Sequence, residues 1–589
     1  MKSLAALAHY VRDNGGLRRS LAKVVRLSVK LLRQSGFRGL EAEVRQTLSI
    51  RKEKAEEARR ARVLRQAAQS RKVVILTTPH VTYVAHQLQA LLAEFGFASE
   101  IISTRPLRGY GKDLHIVLCP QMYSSLPRNL IAVQMEQSIS ERWFDQRYLG
   151  LLKDALAILD YSKNNILYLT GRGIPYQRFF YFPITMMPGY REKILGPEWD
   201  SGGVSNKAYD VLFYGDVNKP RRQQMLSQLK QHFNVKVIGN TFGEELINEL
   251  CKSRVVVNIH YYDNALLETT RIHECLALGI PVVSESSVDI EDYPDLAPLV
   301  RFVPVGNVRA MIYEISQILD QPEFANAFHD QVRSAADRHL ARSQYYFGRF
   351  LLANDLTTFE QLTDRIDDRP AFSTGRLCLS LPETLKRQRQ FLAQKLDGFE
   401  MFDGLRHSEG WIGCGMSYKF ILSKAANRGI RRVLVCEDDM VLTAHGRKVL
   451  PIIDRYLDAN PGTWDVFAGL IAHVDPDVEV TQVDEYEGVT FVHINKMTSM
   501  VFNIYNRSAF DIIARWDESN TDWSSNTIDR YLERTEGLRV IVALPFVVGH
   551  DEGATSTLWG FGNQQYASMI AESAEFLQQK LTDFNARHR

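Results

Sequence analysis

The sequence predicts an α/β protein in which two parallel-sheet halves are followed by a mixed α/β domain and preceded by a basic helical extension. Three observations predict it. From Lys72 onward, short apolar runs alternate with helix-length segments, the rhythm of a parallel sheet with crossover helices. That rhythm breaks near residues 185–208, around PGYREKILGPEWDSGG, and resumes at Tyr209. A chain of 589 residues also exceeds what one hydrophobic core usually organises, so two or three domains are expected.

The extension covers residues 1–70. Over the first 72 residues Lys and Arg outnumber Asp and Glu about three to one. Leu17, Leu21, Val24, Val25, Leu27, Leu31 and Leu32 recur at helical spacing among Arg18, Arg19, Lys23, Arg26, Lys30 and Arg33. Such a basic amphipathic helix can lie on an anionic membrane surface, or pack on the body of the protein with its charges in water. The Ala-rich, charged stretch RKEKAEEARRARVLRQAAQSRK that follows reads as an exposed helical spacer or a coiled-coil arm.

The first half, about 71–195, comprises VVILTT, the helix VAHQLQALLAEFGF, then ASEIIS, DLHIVLCP and LIAVQMEQ. The second, about 205–365, comprises DVLFYGDV, RRQQMLSQLKQHF, VKVIG, EELINELCKS, VVVNIHY, RIHECLALG and PVVSE. These are two Rossmann-like halves of one module, 71–365, whose strand ends face each other across a ligand cleft. After the linker-like TDRIDDRPAFSTG, a third domain at 375–589 begins with the strand LCLSL. It continues with a helix around 417–428, the strand RRVLVCEDD, the apolar run TWDVFAGLIA, and strands VTFVHIN, SMVFNIY and RVIVALPFVV.

Composition narrows the classes. A formal charge of +2, with 45% hydrophobic and 24% charged residues, is ordinary for a soluble globular protein and gives no indication of nucleic-acid binding. The six cysteines form no CxxC pair, which fits a reducing compartment. No apolar run reaches about 18 residues, and MKSLAALAHYVRDNGG is too short in its apolar part for a signal peptide. A cytoplasmic location is expected, peripheral at the inner membrane face through the basic N-terminus.

The sharpest local signal is VLVCEDDM, an apolar strand running into Glu437, Asp438 and Asp439. Carboxylates so clustered can hold Mn²⁺ or Mg²⁺ beside a diphosphate, or can form a solvated acidic turn. Around it stand Leu379-Ser380-Leu381 with Arg387, Phe399 with Asp403-Gly404, and Gly413-Cys414-Gly415-Met416-Ser417. In order and spacing, residues 376–560 resemble the family 25 glycosyltransferases, which include lipopolysaccharide and collagen galactosyltransferases. Met497-Thr498-Ser499, Asp529 in TIDRYL, and PFVVGHDEGATST with His550 and Ser556 resemble the family's distal segments. Ser380 stands where Asn is usual and Tyr418 where His is usual.

The resemblance implies a GT-A-like fold, a UDP-sugar donor and inversion at the anomeric carbon. It implies metal ligation by Glu437 and Asp439, and donor contacts from Asp403, Ser417 and Asp438. Asp529 is the candidate general base, its alternative role being a helix cap. His550 is a further metal ligand or a polar loop residue. Arg387 pairs with diphosphate or nucleotide, or is an exposed helix arginine.

In the second half, HYYDNALLETTRIHECLALGIPVVSE resembles the donor-binding region of GT-B glycosyltransferases. Glu274 matches the carboxylate that holds the donor ribose. The family's partner Glu eight positions earlier is replaced by Leu266, and Glu268 is the nearer acid and candidate catalytic residue. Arg271 or Arg222 can meet diphosphate charge, and Gly215 after VLFY permits close approach of a ligand. His80, ending the first strand, is a candidate acid or base, or a structural strand-end histidine. No G-x-G-x-x-G follows that strand, which weighs against a dinucleotide dehydrogenase.

These readings combine into a bifunctional glycosyltransferase that builds a bacterial cell-surface polysaccharide, lipopolysaccharide O-chain or capsule. Nucleotide-sugar donors, UDP-galactose foremost, and a lipid-linked glycan acceptor are the expected partners. A single active C-terminal enzyme with a docking module, and a non-enzymatic nucleotide-sugar-binding scaffold, are the alternatives.

Overall fold

The computed structural model describes residues 56–140, 142–196, 207–321 and 323–588. The chain divides into two compact units, Met1–Gln66 and Ala67–Arg589. In the first, residues 56–66 are helical; the amphipathic segment 17–33 lies outside the described residues. No helix among the described residues is long and apolar enough to cross a membrane.

In the second unit, β1 (Lys72–Leu76), β2 (Ala98–Ile102), β3 (Leu114–Leu118), β4 (Leu130–Gln134), β5 (Ile158–Asp160) and β6 (Phe179–Tyr181) form a parallel sheet ordered β2-β1-β3-β4-β5-β6. Every residue of β3 and β4 is buried, so these strands read as unbroken apolar runs. Helix α1 (Thr82–Glu94) links β1 to β2 and buries Val84, Leu88, Leu91 and Leu92, one stripe at helical spacing.

A second parallel sheet contains β7 (Tyr209–Tyr214), β8 (Val235–Ile238), β9 (Ser253–Asn258), β10 (Val282–Glu285) and β11 (Val300–Val303), ordered β8-β7-β9-β10-β11. Its core includes Val211, Phe213, Val255, Val257, Met311 and Ile315. Helix α2 (Thr269–Ala277) connects β9 to β10. In both sheets the strand order reverses beside the first strand, between β1 and β3 and between β7 and β9. Those switch points leave crevices at the carboxyl ends of the strands.

Helix α3 (Phe324–Ala353) has 30 residues, a span of about 45 Å. It returns the chain to the first half, where Phe350 packs on Phe180, Tyr346 on Tyr181 and Phe347 on Phe95 and Phe182.

The third domain contains β12 (Arg376–Ser380), α4 (Leu385–Ala393), β13 (Glu400–Asp403), α5 (Gly410–Asn427), β14 (Arg432–Glu437), β15 (Met440–Leu442), β16 (Val466–Ala468), β17 (Val480–Tyr486), β18 (Val489–Ile494), β19 (Phe502–Asn506), α6 (Trp523–Asn526), β20 (Val540–Leu544), β21 (Val548–His550) and α7 (Gln564–His588). Eight strands make one mixed sheet, β13-β12-β14-β19-β16-β20-β18-β17, and β15 pairs with β21 outside it. Order again reverses beside the first strand, between β12 and β14.

The linker-like TDRIDDRPAFSTG joins domains that share a buried interface. Arg349 of α3 and Glu383 are completely buried and paired at 3.2 Å. Glu383 also accepts the Tyr181 amide at 2.9 Å, and Arg349 Nε donates to the Gly404 carbonyl at 2.7 Å. Arg406 donates to the carbonyls of Gln177 and Phe179. A buried ion pair persists only where such bonds offset desolvation, so this network fixes how the third domain sits on the first half.

Candidate functional site

The first cleft, about 540 Å³, opens between the two parallel sheets at their switch points. His80, Glu136 and Tyr190 line it from the first half; Gly215, Glu268, Arg271 and Glu274 line it from the second. The turn after β1 brings His80 Nε2 to 3.7 Å from Cys119 Sγ, just past β3.

Glu268 immediately precedes α2. Its carboxylate pairs with Arg271 at 2.5 Å and Arg222 at 3.2 Å, and His260 Nδ1 lies 3.9 Å away. Burial alone would raise this carboxyl, but Arg271, His260 and Arg222 bring it down to about 2. Arg222 is further held by the carbonyls of Ile259 and Asp216, and Arg271 by Asn258 at 2.6 Å. Both guanidiniums lie over the Phe213 ring, and Arg271 also over Tyr214.

Gly215 has φ +130°, and a Cβ there would stand 3.0 Å from Arg271 Nη2 and 3.7 Å from Arg222 Nη1. Its lack of a side chain lets both guanidiniums close over the end of β7. Glu274, one turn beyond Arg271, accepts a hydrogen bond from Tyr190 across the cleft at 3.2 Å. Burial pushes this carboxyl up to about 7.

The second cleft, about 500 Å³, lies at the β12–β14 switch point. Glu437 ends β14, and the following Asp438 and Asp439 are both buried. Asp438 accepts from Ser380 Oγ at the end of β12 and from Arg387 of α4, whose Nε is 2.7 Å away. Asp439 Oδ2 accepts from Asn563 at 2.9 Å and lies 2.9 Å from Arg387 Nη2 and 3.3 Å from His550 Nε2. His550 reaches it because β15 and β21 pair antiparallel with Met440 opposite His550. Burial raises the Glu437 carboxyl to about 8, with the Asp439 charge adding to it. Asp529 lines the same cleft and sits in the first turn of a short helix begun by Thr527.

Whether this donor set suits a divalent cation can be tested on its atoms. Asp439 Oδ1 and His550 Nδ1 are buried without hydrogen-bond partners. Asp438 and Asp439 share the Arg387 guanidinium, and Glu437, raised by burial, would lose its proton to a hard cation bound beside it. As placed, no three His, Cys, Asp or Glu side chains among the described residues converge closely enough to hold an ion. The donor atoms are of the type a hard cation takes, but they do not converge on one point.

Two expected donor contacts are placed differently. Asp403 does not line either cleft: it accepts from Tyr346 and from Gln388 at 2.8 Å, holding α3 against the third domain. Ser417 lines the second cleft, but its hydroxyl donates to the Gly413 carbonyl and accepts the Leu405 amide, fixing the turn after β13. Arg387 is no exposed helix arginine; it is locked onto the acidic cluster. Tyr418 is fully buried, donating to the Met500 carbonyl. Sequence reasoning missed Asn563, Tyr190 and the wall of the second cleft supplied by Tyr176 of the first half. Only the Asn563 position, close behind the His550 segment, carried a local signal.

Residues 172–347 match a family model described as "Glycosyl transferase-like". Solved structures similar to this chain include sucrose-phosphate synthase from Thermosynechococcus elongatus, at 12% identity over 47% of this chain and 98% of that one, TM-score 0.31. Anabaena HepE in complex with UDP and glucose gives 12% identity over 48% and 99%, TM-score 0.32. WaaG, a glycosyltransferase involved in lipopolysaccharide biosynthesis, gives 10% over 46% and 98%, TM-score 0.31. No curated protein matches the chain. The matched residues 172–347 include the whole second parallel sheet and the arginine–glutamate cluster of the first cleft.

Proposed function

We propose that the chain is a glycosyltransferase with two sugar-nucleotide sites, a GT-B-like cleft and a GT-A-like C-terminal domain. The observation that carries this reading is the pairing of Arg271 and Arg222 around Glu268 at the switch point of the glycosyl transferase-like region. Two guanidiniums held at the end of β7 suit a diphosphate, and Glu274 can accept both hydroxyls of a ribose. Glu268, with its charge committed to the arginines, orients them. His80 stands across the cleft to give or take a proton.

In the C-terminal cleft, Glu437, Asp439 and His550 would hold Mn²⁺ or Mg²⁺. When bound, the ion supplies Lewis-acid stabilisation of the departing nucleoside diphosphate. Asp529 takes the proton of the attacking acceptor hydroxyl. Arg387 fixes Asp438 behind the cluster. The donors are UDP-sugars, with UDP-galactose assigned to the C-terminal site. The acceptor is a lipid-linked glycan of a bacterial surface polysaccharide, approached at the inner membrane face through the basic N-terminus.

The test is UDP release from UDP-galactose and other UDP-sugars, with Mn²⁺ or EDTA, by wild type, Asp439→Ala and Arg271→Ala. Two sites predict a metal-dependent release removed by Asp439→Ala and a separate release removed by Arg271→Ala. Loss of only the first makes the GT-B-like cleft a docking module. No release with any donor overturns the proposal.

A further inference from the structure

Trp523 and Trp559 are held at the mouth of the C-terminal cleft with their rings in water. Trp523 on α6 is 62% exposed and Trp559, in the turn before α7, is 45% exposed. They come from segments 36 positions apart and meet at 6.3 Å between ring centroids, nearly perpendicular, both lining the cleft. Two exposed indoles forgo the burial that makes tryptophan stabilising in a core.

The turn that presents Trp559 is firmly built. Ser556 Oγ accepts the Trp559 amide at 3.2 Å, the Ser556 amide bonds Phe561 at 2.9 Å, and the Asn563 amide bonds Ala554 at 2.9 Å. Tyr176 of the first half donates to the Thr557 carbonyl at 3.0 Å, pinning the turn from outside the domain. From there Phe561 packs on Tyr566 at 5.3 Å and Tyr566 on His550 at 5.5 Å. Aromatic side chains thus lead from the rim to the histidine that touches Asp439.

We infer that Trp523 and Trp559 form a stacking platform for a saccharide, the acceptor glycan of the C-terminal site. The inference rests on the glycosyltransferase reading above. A pyranose has an apolar face of C–H bonds and a rim of hydroxyls. The platform offers indole faces beside Asp529, Arg530, Ser556 and Thr557, which also line the cleft and can meet the hydroxyls. A lipid chain would need a continuous apolar groove, which these polar neighbours interrupt. Stacking places the sugar at the rim, from which its reacting hydroxyl can extend toward Asp529.

The test uses the full chain and three probes: lactose, maltose and N,N′-diacetylchitobiose. At least one should produce a saturable change in wild-type tryptophan fluorescence. It should also stimulate UDP release from UDP-galactose above the rate in water. Trp523→Ala and Trp559→Ala should raise the half-saturating saccharide concentration about tenfold or more, the loss of roughly 1.4 kcal/mol. Release in water should stay unchanged, and Trp559→Phe should retain most saccharide binding. Saccharide response unaltered in both alanine variants, or no response of the wild type to any probe, overturns the platform. Absence of UDP release from wild type in water strikes instead at the glycosyltransferase reading.

Discussion

The two clefts lie at equivalent topological positions yet arrange their charged side chains differently. In the first, Arg222 and Arg271 enclose one committed carboxylate, Glu268, and burial pushes a second, Glu274, up to about 7. In the second, Asp438 and Asp439 share one guanidinium, Arg387, beside Glu437. A pair of guanidiniums can meet a diphosphate directly. Adjacent ionised carboxylates repel one until a cation comes between. The same switch-point geometry therefore presents two different charge arrangements, and the choice is written in a few side chains at strand ends.

The most severe way to break this comparison is Asp439→Ala. Metal-dependent UDP release should fall about 10³-fold, the scale of removing a preorganised electrostatic group, while release from the first cleft persists. Release from the first cleft that is equally sensitive to EDTA would erase the contrast. Arg349→Met comes next. It leaves Glu383 buried with only Arg406 nearby and should destabilise the fold by about 3–5 kcal/mol, read as a lower melting temperature. The exposed pair Arg455–Glu487 provides the control, and Arg455→Met should leave melting nearly unchanged.

Gly215→Ala is smaller and confined to the first cleft. Its positive φ and the 3.0 Å approach to an arginine already pinned by Glu268 and Asn258 should weaken UDP-sugar binding about tenfold, the low end of 1–3 kcal/mol of strain. Calorimetric titration checks it. C-terminal release should be unaffected.

The mildest effect is a pH profile. The folded-state pKa of Glu274 is raised, so its contribution to stability is full below the ordinary carboxylate range. That contribution is lost as pH rises through about 7. Ribose hydroxyls donate to the ionised form, so UDP-sugar binding to the first cleft should strengthen several-fold from pH 6 to 8. Glu274→Gln should flatten that rise. A wild-type profile already flat would remove Glu274 from the donor site.

The strands of the parallel sheets were legible because burial on both faces writes unbroken apolar runs, as in LHIVL and LIAVQ. The strands β5 and β6, three residues each, are too short to leave a periodic signature. In the sites, residues on one strand end and its following turn could be read together. Glu437, Asp438 and Asp439 are consecutive, and Glu268, Arg271 and Glu274 share one helix face or its cap. What could not be read was anything that depends on which domain lies alongside. Asp403 looks like a site carboxylate in its local motif, yet α3 arrives from another domain and claims it through Tyr346. Tyr190 and Tyr176 were invisible for the same reason, each completing a cleft whose other residues lie far along the chain.

The buried contacts of the third domain described above run to the first half and to the last turns of α3: Tyr181 to Glu383, Phe179 to Arg406, Arg349 to Gly404. The first half is thus a common chassis. Both clefts therefore share one supporting body, which gives Tyr190 to the first and Tyr176 to the second.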